Sequence, residues 1–236
     1  MSKYPITQDF LPDGLNHSGA SLEPVGLTIH ETATPNASAE NESAYFHNGD
    51  RSASAHFFID QDSIVQILPE GLRAWHAGKQ ANTRFLSIEM CHFDDEERFA
   101  EVWARTVWLA ADICVRYGLN PESDQLHTHA WVSETWGETD HTDPLSYFTA
   151  HGKTWADFVV NVVNEMEEIS MAKLIDKHPN YYNYGVQAIN DLAARGLLTG
   201  PAEHIETLKK ADENSMDWLS LVINNRIAEK AGIKKA

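Results

Sequence analysis

Apolar and polar positions follow two rhythms along the chain, and the places where the rhythm changes mark its elements. Val25 to His30 is a short apolar run bounded by Pro24 and Glu31, which predicts a buried strand that delivers His30 at its end. Ala55–Ile59 and Ile64–Leu68 predict two more strands joined by the turn Asp60-Gln-Asp-Ser. Phe85–Cys91 predicts a fourth, with Ser87, Glu89 and Cys91 on one side and Ile88 and Met90 on the other. Helical spacing takes over elsewhere. Ala37–His47 follows the turn Thr34-Pro-Asn and stops at Asn48-Gly49. Phe99, Val102, Trp103, Thr106, Val107, Ala110, Ile113, Cys114 and Tyr117 keep a helical period up to Gly118. Trp155, Phe158, Val159, Val162, Val163, Met166 and Ile169 repeat it. The first 24 residues are turn-rich and read as an extended lead-in, and Gly71–Thr83 reads as a loop. His127–Pro144 has no apolar period and also reads as a loop. Strands interleaved with amphipathic helices predict an α/β domain, a mixed central β-sheet flanked by helices.

The pattern shifts after Ser170. Helical spacing through Val186, Ile189, Leu192 and Ala193, a short segment Pro201–Lys210, and Met216, Leu219, Val222, Ile223 and Ile227 predict three helices. They make a small all-α C-terminal module whose core is marginal by itself. The expected division is a domain over residues 1–168 and a module over 171–236. Charge follows the same line. The whole chain carries −17, yet from Met166 onward nine Lys/Arg face ten Asp/Glu, a net of −1. Such acidity excludes a nucleic-acid binder, which needs a basic surface for phosphates. No apolar stretch is long enough to span a bilayer, so membrane insertion is not expected. The N-terminus lacks the pattern of a signal peptide, which leads to the expectation of a protein made in the cytoplasm. Cys91 and Cys114 form no disulfide framework and read as structural.

The candidate chemistry centres on histidines. A catalytic zinc site keeps three protein ligands and one open position. His30 at a strand end, with His129 and Asp143 from the polar segment, supplies two imidazoles and a carboxylate. A metal there would polarise a carbonyl and make water acidic enough to attack it. Glu89, mid-strand in an apolar context, is a candidate to take the water proton; the bland alternative pairs it with Arg84 or Arg73. His141, two residues before Asp143, is a candidate oxyanion donor; the alternative is a solvated loop residue. The bland reading of the whole segment is a polar surface loop.

Six stretches, in order, carry a resemblance. They are Leu27-Thr-Ile-His-Glu-Thr-Ala-Thr-Pro, Ala53-Ser-Ala-His-Phe-Phe-Ile-Asp, Ala74-Trp-His-Ala-Gly, Leu86-Ser-Ile-Glu-Met, Thr128-His-Ala and Thr139-Asp-His-Thr-Asp-Pro. Together they resemble the zinc-dependent N-acetylmuramoyl-L-alanine amidases of the type-2 amidase and peptidoglycan recognition family, most of all phage endolysins. The resemblance covers roughly residues 1–165. It implies zinc on His30, His129 and Asp143, with Glu89 and His141 as catalytic groups and Trp75, His76 and His56 near the substrate; for these last three, packing alone is the alternative. Many relatives have Lys where this chain has His141. The implied reaction cleaves the amide between the lactyl group of N-acetylmuramic acid and the L-alanine of the peptidoglycan stem peptide. The implied setting is host lysis, acting on the wall after release. Asn190-Asp-Leu-Ala-Ala-Arg-Gly-Leu-Leu-Thr-Gly loosely resembles wall-anchoring helical units, so the module is expected to bind a wall polymer or to dimerise. Two rivals stand beside this reading, a cytosolic muropeptide-recycling amidase and a non-catalytic peptidoglycan-binding protein.

Overall fold

A computed structural model of the chain describes residues 3–177 and the single positions 190 and 194. The chain divides into two units, Met1–Met166 and Glu167–Ala236. Apart from those two positions, the three tail helices expected beyond Ser170 lie outside the described residues.

Six strands form one sheet: β1 (Ile6–Gln8), β2 (Gly26–Glu31), β3 (Phe57–Ile59), β4 (Ile64–Gln66), β5 (Phe85–Met90) and β6 (Leu126–Thr128). Their order is β1-β4-β3-β5-β2-β6. Only β3 and β4 pair antiparallel; the other pairs are parallel. This is the mixed sheet that the apolar pattern predicts. β2 and β5 lie inside the sheet with Leu27, Ile29, Leu86 and Ile88 wholly buried, as expected of parallel strands covered on both faces. The antiparallel pair is set by its turn. Asp60, itself buried, accepts hydrogen bonds from the Asp62 and Ser63 amides, both at 2.7 Å. Its second oxygen takes the Ala39 amide at 2.8 Å and so ties the hairpin to the start of a helix.

That helix, α1 (Ala39–His47), starts two residues later than the sequence predicts, because Ser38 and Asn41 form a reciprocal capping box. After the short α2 (Gly78–Asn82) comes α3 (Glu96–Tyr117). Asp95 caps α3, and Gly118 ends it in a left-handed conformation at φ 67°. α3 packs against β3 and β5, burying Val102, Leu109, Ala110 and Ile113. α5 (Leu145–Ala150) and α6 (Trp155–Lys177) follow. Trp103 meets Phe148 and Phe158 edge-on at 4.9 and 5.3 Å, which confirms the Trp and Phe stripes as packing positions.

Three expectations need correction, the first being that Gly71–Thr83 is not a loop throughout, because Gly78–Asn82 forms α2. The lead-in is not wholly irregular: Ile6–Gln8 pairs with β4 as an edge strand. Three residues with one apolar side chain leave no alternation to detect. The segment from His127 is not a loop throughout. Leu126–Thr128 forms β6, and α4 (His129–Trp136) starts at the next residue. The Thr128 side chain caps α4 by accepting the Trp131 amide at 3.0 Å, and Gly137 closes it at φ 64°. Two turns of helix whose inner face rests on Val132 and two tryptophans, packed against Phe85, Ala77 and Ala81, carry too short a period to stand out.

Candidate metal centre

Strand register assembles the centre. β2 pairs with β5 so that His30 lies opposite Glu89, and β2 pairs with β6 so that Ile29 lies opposite Thr128. One residue further along both strands, His30 and His129 come together at the carboxyl ends of parallel strands, where α/β sheets characteristically place ligands. Asp143 completes the group from the chain beyond α4, where its carbonyl accepts the Ala130 amide at 3.1 Å. His30 Nδ1 and His129 Nδ1 stand 3.0 Å apart. Asp143 places one oxygen 3.3 Å from His30 Nδ1 and the other 3.1 Å from His129 Nδ1. Ligand atoms of a tetrahedral zinc, each at about 2.0–2.1 Å from the ion, stand about 3.3 Å apart. The observed separations are close to that figure, and the donor set of two imidazoles and a carboxylate suits zinc. The three residues also form the group of His, Cys, Asp or Glu that could hold a metal among the described residues.

The electrostatics agree with a cation site. Both imidazoles are almost fully buried, and burial holds His30 below its ordinary pKa, with the Asp143 carboxylate partly offsetting it. Burial works to raise Asp143, but hydrogen bonds from His129 and His30 outweigh it and hold the carboxylate well below the usual range. Glu89 Oε1 lies 4.0 Å from His30 Nδ1. Burial, reinforced by the negative charges of Asp143, Glu42 and Glu31, pushes Glu89 well above the usual carboxylate range. The bland alternative for Glu89 does not occur among the described residues. Arg84 instead binds Gln80, and Arg73 binds the Ser21 carbonyl. A half-buried carboxylate without an arginine, beside three converging donors, is what a proton carrier at a metal site needs.

His141 is exposed, with 63% of its side chain accessible, and stacks on the His129 ring at 4.6 Å. Its Nδ1 reaches 3.6 Å from Asp143, leaving the rest of the ring toward solvent at the mouth of the centre. Trp75 is half-buried in the loop before α2. His76, in the same loop, turns inward, and its Nδ1 meets His30 Nε2 at 3.0 Å. His56 is fully buried, one ring nitrogen on Ser87 Oγ and the other on the Leu72 carbonyl, each at 2.9 Å. With both nitrogens used inside the protein, His56 presents none to a substrate. His127 is likewise internal, bonded to Thr28 Oγ1 at 3.0 Å and to the Asp124 carbonyl. One partner of the centre escapes the sequence reading. Thr139 Oγ1 meets His129 Nε2 at 3.2 Å, behind the ring. It stands in the Thr139-Asp-His-Thr-Asp-Pro stretch, but its partner becomes visible only once α4 is formed.

Comparison with known proteins points the same way. A family described as N-acetylmuramoyl-L-alanine amidase matches residues 20–146, which includes all three donors. The bifunctional autolysin of Staphylococcus aureus is 32% identical over 157 residues, covering 64% of this chain. The chain spans 12% of the length of that relative. Among solved structures, the Staphylococcus aureus hydrolase AmiA superposes with a TM-score of 0.63 at 30% identity, over 72% of this chain and 87% of that one. The catalytic domain of XlyA gives 0.57 at 27% identity, over 67% of this chain and 99% of the other. A mutant endolysin from Bacillus subtilis gives 0.56 at 26%, again over 67% and 99%. The mixed sheet, the order of the matched stretches and the extent of the family match lead to one assignment: the chain belongs to the N-acetylmuramoyl-L-alanine amidase family.

Proposed function

We propose that this protein is a zinc-dependent peptidoglycan amidase that releases the stem peptide at the bond between N-acetylmuramic acid and L-alanine. The observation that carries the reading is the placement of Glu89 in register with His30 and 4.0 Å from its Nδ1, one of three donor atoms spaced for one zinc ion. His30, His129 and Asp143 would hold the ion. When bound, zinc supplies a Lewis acid for the amide carbonyl and lowers the pKa of water. Glu89 takes a proton from the attacking water and passes it to the leaving amine. The C–O bond forms first and moves the carbonyl electron pair onto oxygen; as that pair returns, the C–N bond breaks, leaving a carboxylate on the lactyl group and a free amino terminus on alanine. His141, at the exposed mouth, donates a hydrogen bond to the oxygen that becomes negative during attack.

Likeness to endolysin domains supports a role in host lysis by a phage. The match to a staphylococcal autolysin supports a second setting, a bacterium remodelling its own wall with the same chemistry. Both act at the cell wall. The tail sequence, which loosely resembles wall-anchoring units, suits attachment to a wall polymer in either case. Mass spectrometry of digested purified peptidoglycan tests the reaction. New L-alanine amino termini and glycan strands free of stems are expected; stems left intact would refute it.

A further inference from the structure

His30 has two ring nitrogens, and the fold commits both. Nδ1 faces His129 and Asp143. Nε2 faces His76 Nδ1 at 3.0 Å. A nitrogen that gives its lone pair to a metal carries no proton, so a neutral His30 acting through Nδ1 must keep its proton on Nε2. The hydrogen bond then has one possible direction: His30 Nε2–H donates and His76 Nδ1 accepts. His76 in turn keeps its own proton on Nε2.

That second nitrogen is informative. His76 Nε2 is sealed from solvent and has no hydrogen-bond partner among the described residues. A buried donor left unpaired is costly, so the ring is held this way by something else. The backbone supplies the means. Asn82 Oδ1 in α2 accepts both the His76 amide at 2.9 Å and the Ala77 amide at 3.0 Å, pinning the loop that carries the ring. His76 presents neither ring nitrogen to a substrate, since one is taken and the other enclosed.

We propose that His76 is a positioning residue that fixes the tautomer and ring orientation of His30, so that Nδ1 is free to hold zinc. The inference rests on the metal reading above. Hydrogen-bond partners behind metal-bound histidines typically change metal affinity about 10–100-fold when removed.

Zinc affinity, measured by competition with a chromophoric chelator, tests this on wild-type protein, His76→Leu and His76→Gln. His76→Leu is expected to bind zinc about 10–100-fold more weakly, with a metal-free melting temperature no lower than that of wild type. His76→Gln, whose amide oxygen can accept from His30, is expected to recover most of the loss. Undiminished affinity in His76→Leu would overturn the proposal. Absence of zinc binding by the wild-type chain would remove the metal reading itself, and this inference with it. A measurement that needs no variant is nitrogen-15 NMR of the imidazoles in the zinc-loaded wild-type chain. Protons on Nε2 of both His30 and His76 are expected; a proton on Nδ1 of His30 would overturn the proposal.

Discussion

In the proposed reaction Glu89 and His141 divide the proton work and the charge work between a half-buried carboxylate and an exposed imidazole, and substitution should separate them. Glu89→Gln keeps the shape and removes the base. It is expected to lower kcat by about 10²–10⁴-fold while zinc affinity stays within a few-fold; equal losses in both would assign Glu89 a role in holding the ion. His141→Ala is expected to lower kcat by about 10²-fold in the same peptidoglycan assay. His141→Lys should recover activity, since an ammonium stabilises a developing oxyanion more strongly than a neutral ring. The grouping of His30, His129 and Asp143, with Glu89 and His141 beside them, is legible in the sequence, because strand ends and motif spacing mark these residues. Thr139 and His76 cannot be read as partners of His129 and His30. Their hydrogen bonds join segments that meet only through the pairing of β2 with β6 and the docking of the loop before α2.

At the scale of elements, β2 organises the site, and Gly26 sets how closely its neighbours approach. A Cβ at position 26 would stand 2.7 Å from Phe85 Cδ1 and 2.8 Å from the Gln125 carbonyl oxygen. Gly26→Ala is therefore expected to cost about 1–3 kcal/mol by overpacking, read as a lower urea midpoint with unchanged m-value. No loss would mean that β5 and the chain before β6 yield easily, and that register is set elsewhere. The cap of α4 is a second handle. Thr128→Ala removes the acceptor for the Trp131 amide. It is expected to cost about 1 kcal/mol and to weaken zinc binding, because His129 is the first residue of the helix that Thr128 starts. β2, β5 and the long helices are legible in the sequence, since six or more residues establish a pattern, and the short β3 and β4 are marked by the turn Asp60-Gln-Asp-Ser between two apolar runs. β1, α2, β6, α4 and α5 are not. Each is short and takes its shape from tertiary pairing, as when three residues of Leu126–Thr128 form a strand only beside β2.

Over the whole molecule, buried histidines make stability depend on pH. Burial lowers His56 from an ordinary 6.5 to about 4. Between these values the unfolded chain binds a proton that the folded chain refuses, so the contribution is fully present above about 6.5 and is lost as pH falls toward about 4. The slope for one such group is up to about 1.4 kcal/mol per pH unit. Urea unfolding across that window should show His56→Gln with a shallower dependence than wild type; identical slopes would place the acid sensitivity elsewhere. The proposed zinc would link the same stability to function, because an ion bound by the folded chain alone raises the melting temperature as its concentration rises. The most direct test of the central claim is stepwise zinc addition to metal-free protein while stem-peptide release from purified peptidoglycan is measured. Activity should rise from near zero and saturate at one equivalent in the wild type, with Asp143→Ala remaining inactive throughout. Full activity of the metal-free protein, or an Asp143→Ala variant that works as well as wild type, would contradict it.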